Sequence, residues 1–423
     1  MIDRRTMLAQ TAAGLAGLYG SSRLLAAEAS RDFPPVRTIT QGPKHHWFGY
    51  YDKWQFDPTD RYVLSNQVDF EHRSPRAGDT IQVGMVNTEQ GDHWIELGKS
   101  QAWGWQQGCM LQWIPGTLHE VLWNDREADR YVARRKNVIT GEQSTLPHPI
   151  YTISPDGKFG LSLDFARLQR MRPGYGYVGL DDRHPEQLAP ADEGIFKVDL
   201  STGESTLLVS LADVAKIPFQ GSTLDDRWHY FNHLLVSPDS QRFIFLHRWR
   251  ARHPETGQPH GGFTTRMFTA NIDGSDLYVL DPSGNTSHFI WRDPQHVCMW
   301  THPTGRRAGY YVFEDKTSNI SQVGEGLLTQ NGHNTYLPGT NNEWMLSDTY
   351  PDGNRNQKPF LFHIPTSRLV PLGEFYLPPE YRGESRCDTH PRYSRDGRTI
   401  CIDSPHTGSG RQLHLIDVSE IIG

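Results

Sequence analysis

No apolar run in the sequence is long enough to cross a membrane, which takes about 20 residues. Cysteine is scarce: Cys109, Cys298, Cys387 and Cys401 are the only four in 423 residues. Their spacing gives neither a C-x-x-C pair nor a disulfide framework. Four thiols are compatible with pairing in an oxidising compartment, but Cys298 and Cys401 fall inside apolar strand patterns and read as buried thiols. Positive charge is not in excess, with 42 Lys and Arg against 49 Asp and Glu. A net charge of −7 gives no general field for nucleic acid, and an anionic ligand would need a local basic site. Helix-period segments are nearly missing too; Leu211–Ile217 is the one short helix expected.

What the sequence does have is turn chemistry. It carries 39 Gly, 28 Pro and 11% aromatic residues, and 36% of it is hydrophobic, enough for a sizeable core in a turn-rich all-β protein. The N-terminus reads as an address. A twin arginine, Arg4-Arg5, precedes a short Ala/Gly/Leu run, and Ala27-Glu28-Ala29 offers small residues for cleavage. Residues 1–29 are therefore expected to be a Tat-type signal peptide, with residues 30–423 a single exported domain, periplasmic or secreted.

Across that domain a unit recurs seven times: a strand, a Pro/Asp/Gly turn, a second strand, a variable loop and a hairpin. The turns stand at Asp57-Pro58, Pro115-Gly116, Ser154-Pro155-Asp156-Gly157, Ser237-Pro238-Asp239, Asp293-Pro294, Pro338-Gly339 and Ser394-Arg395-Asp396-Gly397. Such turns between β-rich runs mark hairpins. The expected second strands are Tyr62–Val68, His119–Trp123, Phe159–Phe165, Arg242–Trp249, Val297–Thr301, Glu343–Thr349 and Thr399–Ser404. Seven four-stranded units predict a seven-bladed β-propeller. The last unit is one strand short, and Val36-Arg37-Thr38-Ile39-Thr40 is expected to supply it, closing the ring and protecting two sheet edges.

Within this scheme four histidines hold one register. His233, His288, His333 and His390 each stand five residues before a turn, on the innermost strand of a blade. At about 3.3 Å per residue they should crowd one mouth of the central channel, roughly 16 Å from the turn face. The equivalent positions in the first three blades are Lys53, Met110 and Ile150. Neutral imidazoles so gathered suit a divalent metal or proton transfer. The loops on the same face carry Arg73, Arg172, Tyr175, Tyr177 and Arg355, with Arg248 at the start of another. Arginines bind carboxylate or sulfate in a bidentate fashion, and tyrosines stack on sugars or donate protons. An anionic carbohydrate ligand follows from that combination.

Over His233–His288 the chain resembles the oligogalacturonate lyases, and more loosely the propeller-type ulvan lyases. The matching stretches are His233, Phe245-Leu246-His247, Arg266 to Ser275, and Ser287-His288-Phe289-Ile290-Trp291. The resemblance implies that His233 is a Brønsted base and that His288 binds a divalent metal, manganese in that family. The family's Gln-x-x-His-x-His metal run corresponds to Cys387, His390 and Arg392 here, so two of its three donors are replaced. His333 is positioned to fill a vacancy, and a set of three histidines with Cys387 would favour zinc over manganese.

The implied reaction is β-elimination at a uronate. The C5 proton becomes acidic once a metal or an arginine neutralises the neighbouring carboxylate. His233 is then the base and Arg266, with Arg248 in reserve, the carboxylate partner. Tyr230, Tyr175 or Tyr177 would protonate the leaving oxygen, and His247 would orient its neighbours. Arg73, Arg172, Arg355 and Arg392 are further substrate contacts. The protein is expected to act as a monomer on an anionic oligo- or polysaccharide. Two other readings use the same scaffold. A glycoside hydrolase would need paired carboxylates, for which Asp164, Asp348 and Asp403 are candidates. A binding propeller resembling the TolB-like repeats would need none. No G-x-S-x-G is present for a peptidase of the propeller-plus-hydrolase type.

Overall fold

The computed structural model describes residues 33–423. The expected signal peptide lies outside the described residues. From Pro34 to the end the protein is almost wholly β, arranged as seven four-stranded antiparallel sheets and one two-stranded pair. Six of the seven sheets are built from strands close together in sequence. The seventh takes Arg392–Tyr393, Thr399–Ser404 and Gln412–Asp417 from the C-terminus and Val36–Thr38 from the N-terminus. Val36 pairs with Ile416 and Thr38 with His414, so the two ends of the described chain share one sheet, as the missing strand required.

The turns repeat at atomic detail. Ser154, Ser237 and Ser394 each donate their hydroxyl to the Asp two residues on, at 2.6 Å in all three. Each also accepts the backbone N–H five residues on, at 2.9 to 3.2 Å. That double bond closes the hairpin whether or not glycine follows: Gly157 and Gly397 adopt φ of 71° and 74°, and Ser240 takes the same place at 59°.

Tyr62–Val68 and Thr399–Ser404 form as the sequence predicts. Two departures matter for the site. The strand expected over Phe159–Phe165 ends at Ser162, and a helix, α1, runs over Phe165–Met171. Asp164 turns the chain by accepting the backbone N–H of Ala166 and Arg167 on one carboxylate oxygen. The next helix, α2 (Leu211–Ala215), is the short one expected, capped by Ser210. All four cysteines are free and buried. Large apolar side chains pack between sheets; Trp47, Trp103, Trp105, Trp113 and Trp123 share one cluster.

Candidate active site

The register of the four histidines translates into contact. Ring centroids of His288 and His333 lie 4.1 Å apart, and those of His333 and His390 4.2 Å apart. His233 is set off from this trio by two tyrosines from the first repeat. Tyr50 packs on His233 at 4.8 Å and on His390 at 5.2 Å. Tyr51 lies 5.3 Å from His333 and is pinned by Phe289, whose backbone carbonyl accepts its hydroxyl at 2.8 Å. All four histidines are at most 4% exposed. His233 and His390 hold positive φ, 52° and 38°, as does Met110 at the equivalent place in the second repeat, with 56°. At His233 the left-handed turn interrupts the strand register between Asn232 and Leu235. The hydroxyl of Tyr151 accepts its backbone N–H at 3.1 Å.

Fixed partners decide the tautomers. The Nε2 of His233 is 3.1 Å from Asp52 Oδ2, which also accepts from Lys53 Nζ at 2.9 Å. Burial opposes charge on Asp52, but Lys53 and His233 outweigh it and take its pKa to about 2. An ionised carboxylate only accepts, so the proton of His233 sits on Nε2 and Nδ1 keeps its lone pair. That Nδ1 is buried without a hydrogen-bond partner. Burial lowers the pKa of His233 against the pull of Asp52, so the ring is neutral at neutral pH.

His333 and His288 are held the opposite way round. Nδ1 of His333 faces Asp348 at 2.9 Å, and Nδ1 of His288 faces Asn331 Oδ1 at 3.0 Å. The Asn331 amide is oriented by its own bond to Ser287 Oγ. Asp348 reaches His333 because Gly332 has no side chain: a Cβ there would come within 1.8 Å of the Asp348 carbonyl oxygen. Both rings thus direct a free Nε2 lone pair away from these oxygens, as metal-binding histidines with a hydrogen-bonded second nitrogen do. His390 Nε2 is buried and has no partner. Burial, then the neighbouring His333, drives the pKa of both His288 and His390 well below the usual imidazole value.

Among the described residues, the ligand atoms of His333, Asp388 and His390 lie within 4.8 Å of one another. The carboxylate is a correction to the expected ligand set. Cys387 packs with Leu377 and Tyr381 instead, and burial raises its thiol pKa far above the usual value. Asp388 stands two residues before His390, and the left-handed turn at His390 brings the two together where no strand period would show it. The soft donor that favoured zinc is gone. His288, also expected as a ligand, packs on His333 but stands outside this group. Two imidazoles and a carboxylate fit manganese or zinc alike.

The arginines divide sharply. Arg266, expected to hold the substrate carboxylate, is 1% exposed and donates to the carbonyls of Val214 in α2 and of Ile217 and Pro218 just beyond it, and to His247 Nδ1. His247 is in turn 2.8 Å from His229, so both belong to the frame. Arg392 is spent on Asp403, Gln55 and the carbonyls of Thr389 and His390. Arg355 holds the carbonyls of Leu377, Pro378 and Tyr381. Arg73 pairs with Asp79 over the ring of Phe70. Tyr177 stacks on Phe165 and bonds Asn124, and does not face the histidines with a free hydroxyl.

Arg172 and Arg248 are different. Arg172 follows α1, lies 3.8 Å over the ring of Tyr175, and has no acidic partner among the described residues; its Nη1 is buried and unpaired. Tyr175 in turn stands 6.5 Å from Tyr50. Arg248 bonds Thr265 through Nε and leaves its own Nη1 buried and unpaired. Both guanidinium groups lie on Phe263, at 4.8 and 4.6 Å. The Tyr230 hydroxyl is buried and unpaired as well. A buried charge without a counterion is costly, and an anionic ligand group would relieve it.

No protein-family model and no curated protein matches the sequence. Solved structures do. An oligogalacturonate lyase from Vibrio parahaemolyticus aligns with a TM-score of 0.64 at 14% identity, over 92% of this chain and 95% of its own. A second oligogalacturonate lyase, in complex with manganese, gives 0.64 at 13% identity, over 93% and 95%. The chain shares its fold with oligogalacturonate lyases. The tricorn protease aligns at 0.50 and 10% identity, over 90% of this chain and 35% of its own. Identity this low carries fold alone, and function must be argued from side chains. Of the carboxylates a glycosidase would need, Asp348 holds His333 and Asp403 accepts from Arg392, while Asp164 caps α1 through one oxygen and keeps the other buried without a partner.

Proposed function

We propose that the protein is a polysaccharide lyase, exported and built as a closed seven-bladed β-propeller. It cleaves a uronate-containing glycan by β-elimination. The observation that carries this reading is the pairing of a base with an unneutralised cation. His233 has its proton fixed on Nε2 by Asp52 and a bare Nδ1, and across Tyr50 and Tyr175 stands Arg172 without an acidic partner.

In this mechanism Arg172, with Arg248, binds the uronate carboxylate and makes the C5 proton acidic. His233 Nδ1 removes that proton, the C5–H electrons form the C4–C5 double bond, and the bond from C4 to the glycosidic oxygen breaks. Tyr230, whose hydroxyl is buried and unpaired, protonates the departing oxygen. Tyr50 and Tyr51 fix the spacing between base and histidine trio. The side chains of His333, His390 and Asp388 would hold a divalent cation, with His288 beside them, and the cation would add Lewis-acid neutralisation of the same carboxylate.

Incubation with uronate oligosaccharides, followed by ultraviolet absorbance, tests the reading. An unsaturated product is expected. Release of reducing ends without absorbance would favour a hydrolase, and binding without turnover a TolB-like binding propeller.

A further inference from the structure

The carboxylate of Asp388 is contested from two sides. Arg386 holds both of its oxygens, Nε at 2.6 Å from Oδ1 and Nη2 at 2.5 Å from Oδ2. On the other side stand His333 and His390, the latter with an unpaired Nε2. The two claimants differ in mobility. The Asp388 side chain is 1% exposed and flanked by the histidines, whereas that of Arg386 is 27% exposed and can reach water.

Arg386 also ends the short helical turn Gly383–Ser385, which is strapped to two loops and to α1. Gln106 Nε2 donates to the carbonyls of Glu384 and Arg386, at 3.0 and 2.9 Å. The Glu384 carboxylate accepts from Ser74 and from Gln169 of α1. Beyond Gln106, the Arg386 side chain is anchored by Asp388 and rests 5.3 Å over Tyr350, which itself packs 5.8 Å from His333.

We infer that Arg386 is a stand-in cation and a latch: a divalent ion at His333, Asp388 and His390 displaces it from Asp388 and loosens the Gly383–Arg386 strap. This rests on reading those three residues as a cation site. The reason is charge. Asp388 neutralises Arg386, and the neighbouring Asp348 is already taken by His333 and Thr389. A dication on Asp388 would therefore share one carboxylate with Arg386, two like charges side by side in a poorly screened space. Arg386 is the member that can leave for water, and its departure removes the side-chain anchor of the strap.

The test uses the full chain with manganese or zinc alone. Calorimetric titration of Arg386→Met should show affinity at least about tenfold above that of the unsubstituted protein. Arg386→Gln, which keeps hydrogen bonding without charge, should behave likewise. In the unsubstituted protein the ion should raise hydrogen exchange across residues 383–386. Unchanged or weaker binding by both variants would overturn the inference and make Arg386 an orienting partner of Asp388. So would strap exchange that ignores the ion, or no ion binding by any form. Formation of the unsaturated product judges the lyase reading separately.

Discussion

Asp52 Oδ2 lies 3.1 Å from His233 Nε2 and is buried beneath it, with its charge secured by Lys53. The contact joins two residues 181 positions apart in the chain. It leaves the lone pair of the histidine on a defined atom, Nδ1. Asp52→Asn should lower kcat by about 10²- to 10⁴-fold, because the tautomer is no longer enforced.

The same contact sets a pH limb. Burial lowers the pKa of His233, and Asp52 partly restores it. The acid limb of kcat/KM should therefore fall below pH 6.5. In Asp52→Asn it should move lower still, since the restoring charge is gone. A limb that moved up would contradict the assignment.

Two arginines should respond oppositely to truncation. Arg266 satisfies three backbone carbonyls, so Arg266→Met should cost about 3 kcal/mol of stability, seen as a fall in denaturant midpoint. Arg172 has an unpaired buried Nη1 and no acidic partner. Arg172→Met should leave the midpoint unchanged or raised, and should abolish turnover.

Removing the support of His333 should loosen a bound ion without removing a donor. Asp348→Asn is expected to lower manganese or zinc affinity by about 10- to 100-fold, read by titration calorimetry. Cys387→Ser should leave affinity unchanged, because its thiol lies among Leu377 and Tyr381.

Stability should decline in mild acid. Burial takes His46, His229 and His414 to about 4. Between pH 6.5 and 4 the unfolded chain binds protons that the fold refuses, so stability falls as pH drops through that window. Burial raises Glu193 to about 7, and Asp60, Asp164 and Asp403 in the same direction, and these work the other way. Burial lowers His148, His233, His247, His288, His390 and His406 as well, so the histidines outnumber them. The Tm measured from pH 7 to 4 should decrease.

The repeat and the register were legible because turn chemistry and strand alternation are local. Ser154, Ser237 and Ser394 announce their hairpins, and four histidines at one offset announce a shared mouth. The partners were not legible, since they come from other repeats. Asp52 and Tyr50 come from the first repeat and meet His233 of the fourth only in the folded chain. Arg266 and Arg172 look alike in sequence. What separates them is that α2 ends beneath one and offers it carbonyls, while α1, hidden in a run read as loop, delivers the other to the tyrosines. Asp388 was not legible beside Cys387, because the left-handed turn at His390 breaks the strand period there.

The central claim is that His233 Nδ1 takes the C5 proton. The most direct measurement is the rate of unsaturated product formation by His233→Ala on a uronate oligosaccharide, with and without added imidazole. A loss of at least about 10²-fold that imidazole partly restores is expected, in a protein that still binds the glycan. Full activity in His233→Ala would contradict it.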